Sequence, residues 1–372
     1  MPLTQDTVTD ALRTVDDPDL KRDLVSLGMV KRVEVSDDGK RVDLTIELTT
    51  PACPLKDKIK SDIEAAVRAK AAEVGGPTDP KISVEFTADV RSPQEKLADK
   101  DNPLPGVKHV IAVGAGKGGV GKSTVAVNLA VGLARHGAKV GLLDGDVYGP
   151  SAPTMLGLYE TQAMMNERQM IMPFEAHGIK SMTIGVLVER EKPLIWRGPM
   201  AQGAFKQLLT QTEWGELDYL IVDLPPGTGD VPLSLSQMLP LRGAVIVCTP
   251  QTVALDDARR AVRMFQQLGV PLLGVVENMS YFVCEHGTEY DIFGRGGAEV
   301  MAQEMNLPYL GGIPITPALR EHGDTGDPGA NFDEVADAKL ATALTKMTQN
   351  LAAQVSMASM RNVIAQPTMS IS

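Results

Sequence analysis

Residues 116–123 read Gly-Lys-Gly-Gly-Val-Gly-Lys-Ser. This is the spacing G-x-x-x-x-G-K-[ST], set between a short apolar run at 110–113 and a helical segment at 123–136. Its glycines let backbone N–H groups curl around phosphate oxygens without a Cβ in the way. The helix behind the loop presents unpaired amides and the positive end of its dipole. Gly116, Gly118, Gly119, Val120, Gly121, Lys122, Ser123 and Thr124 are therefore the candidate nucleotide contacts. Lys122 is placed to neutralise β- and γ-phosphate charge, and Ser123 to ligate Mg²⁺. A glycine-rich turn without a ligand is the plainer alternative.

A strand–loop–helix unit of this kind needs a parallel sheet around it. Short β-branched runs recur at 140–143, 220–222, 244–247 and 272–276, with a further helical segment at 254–268. Continuous apolar runs imply strands covered on both faces, and alternation with helices implies βαβ units. Ligands in such sheets sit at the carboxyl ends of the strands. Two aspartates, Asp144 and Asp146, close the 140–143 run. Asp223 closes 220–222 and leads into Leu224-Pro-Pro-Gly-Thr-Gly-Asp230. A strand-end aspartate suits a carboxylate that holds a water on Mg²⁺, and the loop after it suits a γ-phosphate sensor. Helix N-capping is the alternative for these aspartates. Asn278 lies at the end of the last run, where a buried turn asparagine is an equally ordinary reading.

Residues 1–90 form a separate unit by pattern: a helix at 4–15, strands at 29–35 and 41–48 around Asp37-Asp38-Gly39, a helix after Pro54, and a strand at 82–86. A small mixed sheet with helices on one face follows. Residues 91–106 are polar, contain three prolines and read as a linker. Residues 107–350 make the nucleotide domain, and 351–372 lose periodicity and are expected to fray as a tail.

The net charge is −11 and both parts are acidic, which argues against a nucleic-acid surface. No apolar run approaches the roughly 20 residues that span a bilayer. The acidic N-terminus lacks an apolar signal core, so a cytoplasmic location is expected. The cysteines Cys53, Cys248 and Cys284 are three and far apart, which favours a reducing compartment over a disulfide framework. Cys53 falls where a strand gives way to a helix, and helix amides lower a thiol pKa; a buried inert cysteine is the rival. Cys248 sits inside an apolar run and reads as core.

The extra lysine in the loop, Lys117, gives the pattern K-G-G-x-G-K-S. In this the chain resembles the deviant Walker-A P-loop ATPases of the MinD, ParA and nitrogenase iron-protein group. That resemblance implies an α/β fold with a mainly parallel sheet flanked by helices, beside the small N-terminal α/β domain. It also implies a homodimer in which Lys117 reaches the partner's nucleotide. Asp146 would orient the attacking water, Asp144 would support a switch and Asn278 would hydrogen-bond adenine. Asp144-Gly-Asp-Val-Tyr-Gly-Pro-Ser151, Trp196-Arg-Gly-Pro-Met200, the 223–230 loop, Glu277-Asn-Met-Ser280 and Asp291-Ile-Phe-Gly294 narrow the resemblance to the Mrp/ApbC family of iron–sulfur cluster carriers. The N-terminal unit resembles a SufT-like domain through Leu24-Val-Ser-Leu-Gly28 and Thr49-Thr-Pro-Ala-Cys-Pro54.

The implied activity is a slow Mg-ATPase that hands clusters to apoprotein clients, with no membrane or nucleic-acid partner. One departure stands out. The family pattern is C-x-x-C, and here it reads Cys284-Glu285-His286-Gly287. Cys284 remains a candidate cluster ligand, and His286, Cys53 or an external thiol are candidates to complete it. The rival readings are a positioning ATPase like MinD or ParA, which the acidic surface disfavours, and a regulatory ATPase without a cluster, which Gly287 favours.

Overall fold

The computed structural model describes residues 3–18, 21–51, 53, 55–88, 102–146, 149–158, 163–186, 198–284 and 286–364. Most of the expected linker, Trp196, Glu285, Ala52, Pro54 and the last eight residues lie outside the described residues. The chain divides into two compact units, Met1–Lys96 with Ser356–Ser372, and Leu97–Val355.

In the first unit, Thr4 caps helix α1 (Gln5–Leu12) in a reciprocal box with Thr7. A two-residue ladder joins β1 (Asp16–Asp17) to β2 (Arg22–Asp23). Strands β3 (Val30–Val35) and β4 (Arg41–Leu48) pair antiparallel across the turn at Gly39, whose φ is +69°. Helix α2 (Lys56–Glu73) then carries the chain over to β5 (Lys81–Ala88), parallel to β4. Period-two alternation in β4 buries Val42, Leu44, Ile46 and Leu48 in one core with Ile59, Ile63 and Val67 of α2.

The second unit runs β6 (Val107–Gly114), α3 (Lys122–Arg135), β7 (Val140–Asp144), α4 (Ala152–Met155), β8 (Phe174–Ala176), β9 (Ile179–Thr183), α5 (Gly198–Gln211) and β10 (Leu217–Asp223). It continues with α6 (Asp230–Gln237), β11 (Leu241–Cys248), α7 (Thr252–Gln267), β12 (Leu272–Glu277), β13 (Phe282–Val283), β14 (Glu289–Tyr290), α8 (Gly297–Glu304), β15 (Tyr309–Gly312), α9 (Pro317–Thr325) and α10 (Glu334–Ile364), whose residues after Val355 are grouped with the first unit. Eight strands form one sheet in the order β15-β12-β11-β6-β10-β7-β9-β8. All neighbours are parallel except the β8–β9 pair.

The five apolar runs are strands β6, β7, β10, β11 and β12. Strands β9 and β15 carry no such run: Ile179–Thr183 buries Ser181 and Thr183 among its apolar residues, and Tyr309–Gly312 ends in two glycines. The expectation that the chain frays from 351 is corrected as far as Ile364, the last described residue. Helix α10 continues to Ile364, with Ala352, Val355, Ser356 and Ser359 buried. Beyond Leu351 the buried residues of this helix are alanine and serine except for Val355, so the apolar stripe of Leu340, Leu344, Met347 and Leu351 thins out, while alanine favours the helix itself. A break at Asp337 (φ −150°, ψ 88°) divides the helix, and the Asp337 carboxylate caps the longer part by accepting from Leu340 N–H at 3.0 Å.

Candidate nucleotide site and cysteine loop

Strand β6 lies between β10 and β11 and delivers the glycine loop to the carboxyl edge of the sheet. Gly119 and Gly121 both take φ +80°, a left-handed conformation suited to glycine. Gly121 is also the N-cap of α3, and a Cβ there would strike the Asn278 side-chain amide. A Cβ on Gly116 would strike the backbone of Asp257 in α7. The loop is thus pressed against α7 on one side and Asn278 on the other. Lys117, Gly118, Gly119, Lys122, Ser123 and Asp146 line a cavity of about 220 Å³ over it.

Strand register sets the carboxylates beside this cavity. Asp223 is level with Val113 of β6 on one side and Asp144 of β7 on the other, and Asp144 is level with Thr183 of β9. Lys122 Nζ donates to Asp223 Oδ1 at 2.5 Å and lies 3.6 Å from Asp146 Oδ2. Ser123 Oγ donates to the other Asp223 oxygen at 2.5 Å. Sequence reasoning put Lys122, Ser123, Asp146 and Asp223 in one site, and these side chains do converge. Their hydroxyl and carboxylate oxygens suit a hard cation such as Mg²⁺.

Asp144 sits deeper. It accepts from the backbone N–H of Asp146 and of Ala152, both at 3.1 Å, and from Thr183 Oγ1 at 3.3 Å. Burial, with the charge of Asp223 beside it, pushes its pKa up to about 7. Burial also raises Asp223, against the pull of Lys122 and Ser123.

A second cavity of about 640 Å³ continues from the first, sharing Gly121, Thr124, Ser151 and Met155 with it. Asn278 reaches this wall, and its side-chain N–H donates to the Val120 carbonyl at 2.9 Å, tying β12 to the glycine loop. Asn331 lines it too, donating to Asn128 Oδ1 at 2.9 Å and meeting His322 Nδ1 at 2.9 Å. Asn128, Asn331 and Glu277 were not singled out from the sequence. Glu277 carried a signal: it is a carboxylate closing an apolar strand, and it is wholly buried.

Cys284 lines neither cavity. It follows β13 at the turn of the β13–β14 hairpin, where its N–H donates to the Thr288 carbonyl at 3.0 Å and Gly287 N–H donates to its carbonyl at 2.8 Å. The backbone N–H of His286 leads in holding its thiol below the ordinary cysteine value. Gly287 takes φ +78° in this turn, so glycine suits the position where the family pattern has its second cysteine. Cys248 is core as expected, its thiol pushed up to about 12 by burial. Cys53, in the other unit, packs half-buried against the N-terminal core. Lys56, in the first turn of α2, stands 5.4 Å over the Phe86 ring. Among the described residues, no three His, Cys, Asp or Glu side chains converge to hold a metal ion. Among the same residues, no helix is long and apolar enough to cross a membrane.

Residues 106–352 match the ParA family, described as NUBPL iron-transfer P-loop NTPase. Residues 5–76 match a family described as iron–sulfur cluster assembly protein. A Synechocystis protein named iron-sulfur cluster carrier protein is 49% identical, the match covering 96% of this chain and 99% of the relative. A Deinococcus radiodurans protein of the same name is 51% identical, over 94% of this chain and 95% of the relative. Among solved structures, a nucleotide-binding protein from Archaeoglobus fulgidus in complex with ADP is 39% identical, with TM-score 0.56, over 62% of this chain and 91% of that one. The Pyrococcus furiosus cell division ATPase MinD, 24% identical with TM-score 0.50 over 65% of this chain and 98% of that one, shares the fold. With a glycine loop, strand-end aspartates and matches of this extent, the chain belongs to the iron–sulfur cluster carrier family of MinD/ParA-like P-loop NTPases.

Proposed function

We propose that the chain binds and slowly hydrolyses Mg-ATP and carries iron–sulfur clusters, as cargo, to apoprotein clients. The observation that carries the nucleotide half is the convergence of Lys122, Ser123, Asp146 and Asp223 over the glycine loop. Lys122 takes the β- and γ-phosphate charge, the loop amides from Gly116 to Thr124 cradle the phosphates, and Asp146 orients the attacking water. Ser123, and Asp223 through a water, would hold Mg²⁺, which would supply charge neutralisation on the phosphates. Asn278 contacts adenine.

The cluster half rests on Cys284, whose thiol is lowered by backbone amides, and on relatives named cluster carriers. One such thiol is too few for a cluster, so the reading calls for a homodimer that brings two Cys284 thiolates together, with His286, Cys53 or a small external thiol completing the set. Lys117 makes no ion pair among the described residues, which suits a lysine that serves the partner's nucleotide. Residues 1–90 act as the SufT-like domain, 91–106 as the linker and 107–350 as the ATPase. The protein works in the cytoplasm without nucleic acid or membrane.

Anaerobic reconstitution tests the reading through iron and sulfide per dimer and the charge-transfer absorbance. Wild type is expected to load, and Cys284→Ala to lose most of its iron. Equal loading of the two would remove Cys284 from the site. No loading of wild type would favour the regulatory ATPase, whose support is Gly287.

A further inference from the structure

Between Asn278 and α8 the chain leaves the sheet and returns, and one side chain pins both ends of this excursion. Glu277 Oε1 accepts from Ser280 Oγ at 2.5 Å and from Gly296 N–H at 2.9 Å, while Oε2 accepts from Ala298 N–H at 2.8 Å. The outgoing leg is held further by Ser280 N–H to the Ile313 carbonyl at 2.9 Å and Ile315 N–H to the Tyr281 carbonyl at 2.7 Å. Beyond these anchors the excursion carries the Cys284 turn, then a second turn at 291–294 in which Gly294 (φ +85°) donates its N–H to the Asp291 carbonyl at 3.1 Å. The legs are cross-tied: the Arg295 guanidinium lies 4.1 Å over the Tyr281 ring and 2.6 Å from Glu289. Lys339 of α10 holds the same Glu289 at 2.9 Å.

Two side chains of the second turn lie unusually for apolar groups. Ile292 is 56% and Phe293 39% exposed. Both line the 640 Å³ cavity, as do Thr124 and Asn278. That cavity shares Gly121, Thr124, Ser151 and Met155 with the one over the glycine loop, so a nucleotide with its phosphates there can place its base here. An aromatic ring, an aliphatic neighbour and one amide handle make a wall for a flat heteroaromatic base.

We propose that Ile292 and Phe293 are the base-recognition wall and also the mechanical link by which nucleotide occupancy resets the Cys284 turn. This inference rests on the nucleotide reading above and deepens it. A base packed on Phe293 takes apolar surface out of water and fixes the 291–294 turn. That turn follows β14 directly, and β14 is paired with β13, the strand that ends just before Cys284, so ordering one orders the other. A nucleotide lacking its base fills the phosphate cavity and leaves the cysteine turn as it was.

The test uses the full chain, with Mg-AMP-PNP and Mg-tripolyphosphate as probes and iodoacetamide labelling of Cys284 as readout, Cys53 and Cys248 serving as internal references. AMP-PNP is expected to slow Cys284 labelling about three-fold or more, and tripolyphosphate to leave it unchanged. Phe293→Ala should weaken AMP-PNP binding about ten-fold, leave tripolyphosphate binding alone, and label at one rate with or without saturating nucleotide. Phe293→Tyr should restore both effects. Phe293 is 39% exposed and lies outside the buried core, so its truncation should leave the core packing in place. The inference is overturned if wild type binds AMP-PNP with no change at Cys284, or if Phe293→Ala loses both probes equally. If wild type binds neither probe, the nucleotide reading itself falls, and this one with it.

Discussion

Lys122 Nζ and Asp223 Oδ1 stand 2.5 Å apart, with 6% and 3% of their side chains exposed. The loop cation is therefore already neutralised by a carboxylate from the neighbouring strand. Arriving phosphate has to displace that carboxylate, and a charge-assisted bond of this kind is worth about 1.5–3 kcal/mol. The displaced Asp223 would find a new cationic neighbour in Mg²⁺, which would ease the exchange. Asp223→Asn should therefore bind Mg-free ATP about ten-fold more tightly than wild type, while its Mg-dependent hydrolysis falls to background. Titration with a fluorescent nucleotide in EDTA checks the first part, and phosphate release the second. Unchanged Mg-free affinity would mean that the pair does not oppose binding.

Lys117 lines the phosphate cavity without an ion partner among the described residues. If it serves the partner's nucleotide, Lys117→Ala should retain ATP affinity within about two-fold while hydrolysis drops at least ten-fold. Equal losses in both would confine Lys117 to its own subunit.

Asp144 gives a pH signature. Its folded pKa is raised to about 7 from 3.8, so between those values the folded chain keeps a proton that the unfolded chain has lost. Stability from this group is therefore greatest below the lower value, declines as pH rises towards about 7, and is flat above it. Thermal melting of the nucleotide-free protein across this range should show the decline, and Asp144→Asn should flatten it. An unchanged slope in the variant would assign the pH dependence to other groups.

The three thiols should alkylate in the order Cys284, Cys53, Cys248. Cys284 and Cys53 are both half-buried, but backbone amides hold the Cys284 thiol low, and Cys248 is buried with its thiol near 12. Peptide mass spectrometry of intact folded protein labelled at pH 7 reads the order directly. Labelling of Cys248 at the rate of Cys284 would contradict the packing of β11.

Gly287→Cys would create a C-x-x-C turn but place an L-residue at φ +78°, at a cost of about 1–2 kcal/mol. There is room for the new Cβ, since no atom lies within 4 Å of it. A reconstituted cluster should then decay several-fold more slowly, because two more thiolates per dimer replace weaker donors. A lifetime equal to wild type would mean that cluster ligands come from elsewhere.

The glycine loop and its strand-end aspartates were legible because phosphate binding dictates both residue type and local element: the motif predicts strand, loop and helix together. Lys122, Ser123, Asp146 and Asp223 could be grouped before any coordinates, since parallel strands put their carboxyl ends on one edge. Glu277 was not read as an anchor, because its partners are backbone amides at Gly296 and Ala298 and a backbone amide leaves no mark in the residue code. Strand β9 escaped for a similar reason. Its buried Thr183 looks polar in the sequence but is paired with Asp144 from a strand distant in the chain. The end of α10 was misjudged because small residues pack closely without the large apolar stripe that signals a buried helix.

The placement of β10 between β6 and β7 matters to a chain that is still being made. β6 and β7 are close in sequence but not neighbours in the sheet, and the strand that joins them emerges much later. Asp223 trails Lys122 by 101 residues. At roughly 5–20 residues per second on the ribosome, that is a wait of roughly 5–20 s. Throughout it, facing edges of β6 and β7 have no backbone partner and the loop lysine lacks its carboxylate. A nascent chain stalled in this interval would expose two open strand edges and a bare cationic loop, the state in which it is most open to mispairing and most in need of a chaperone.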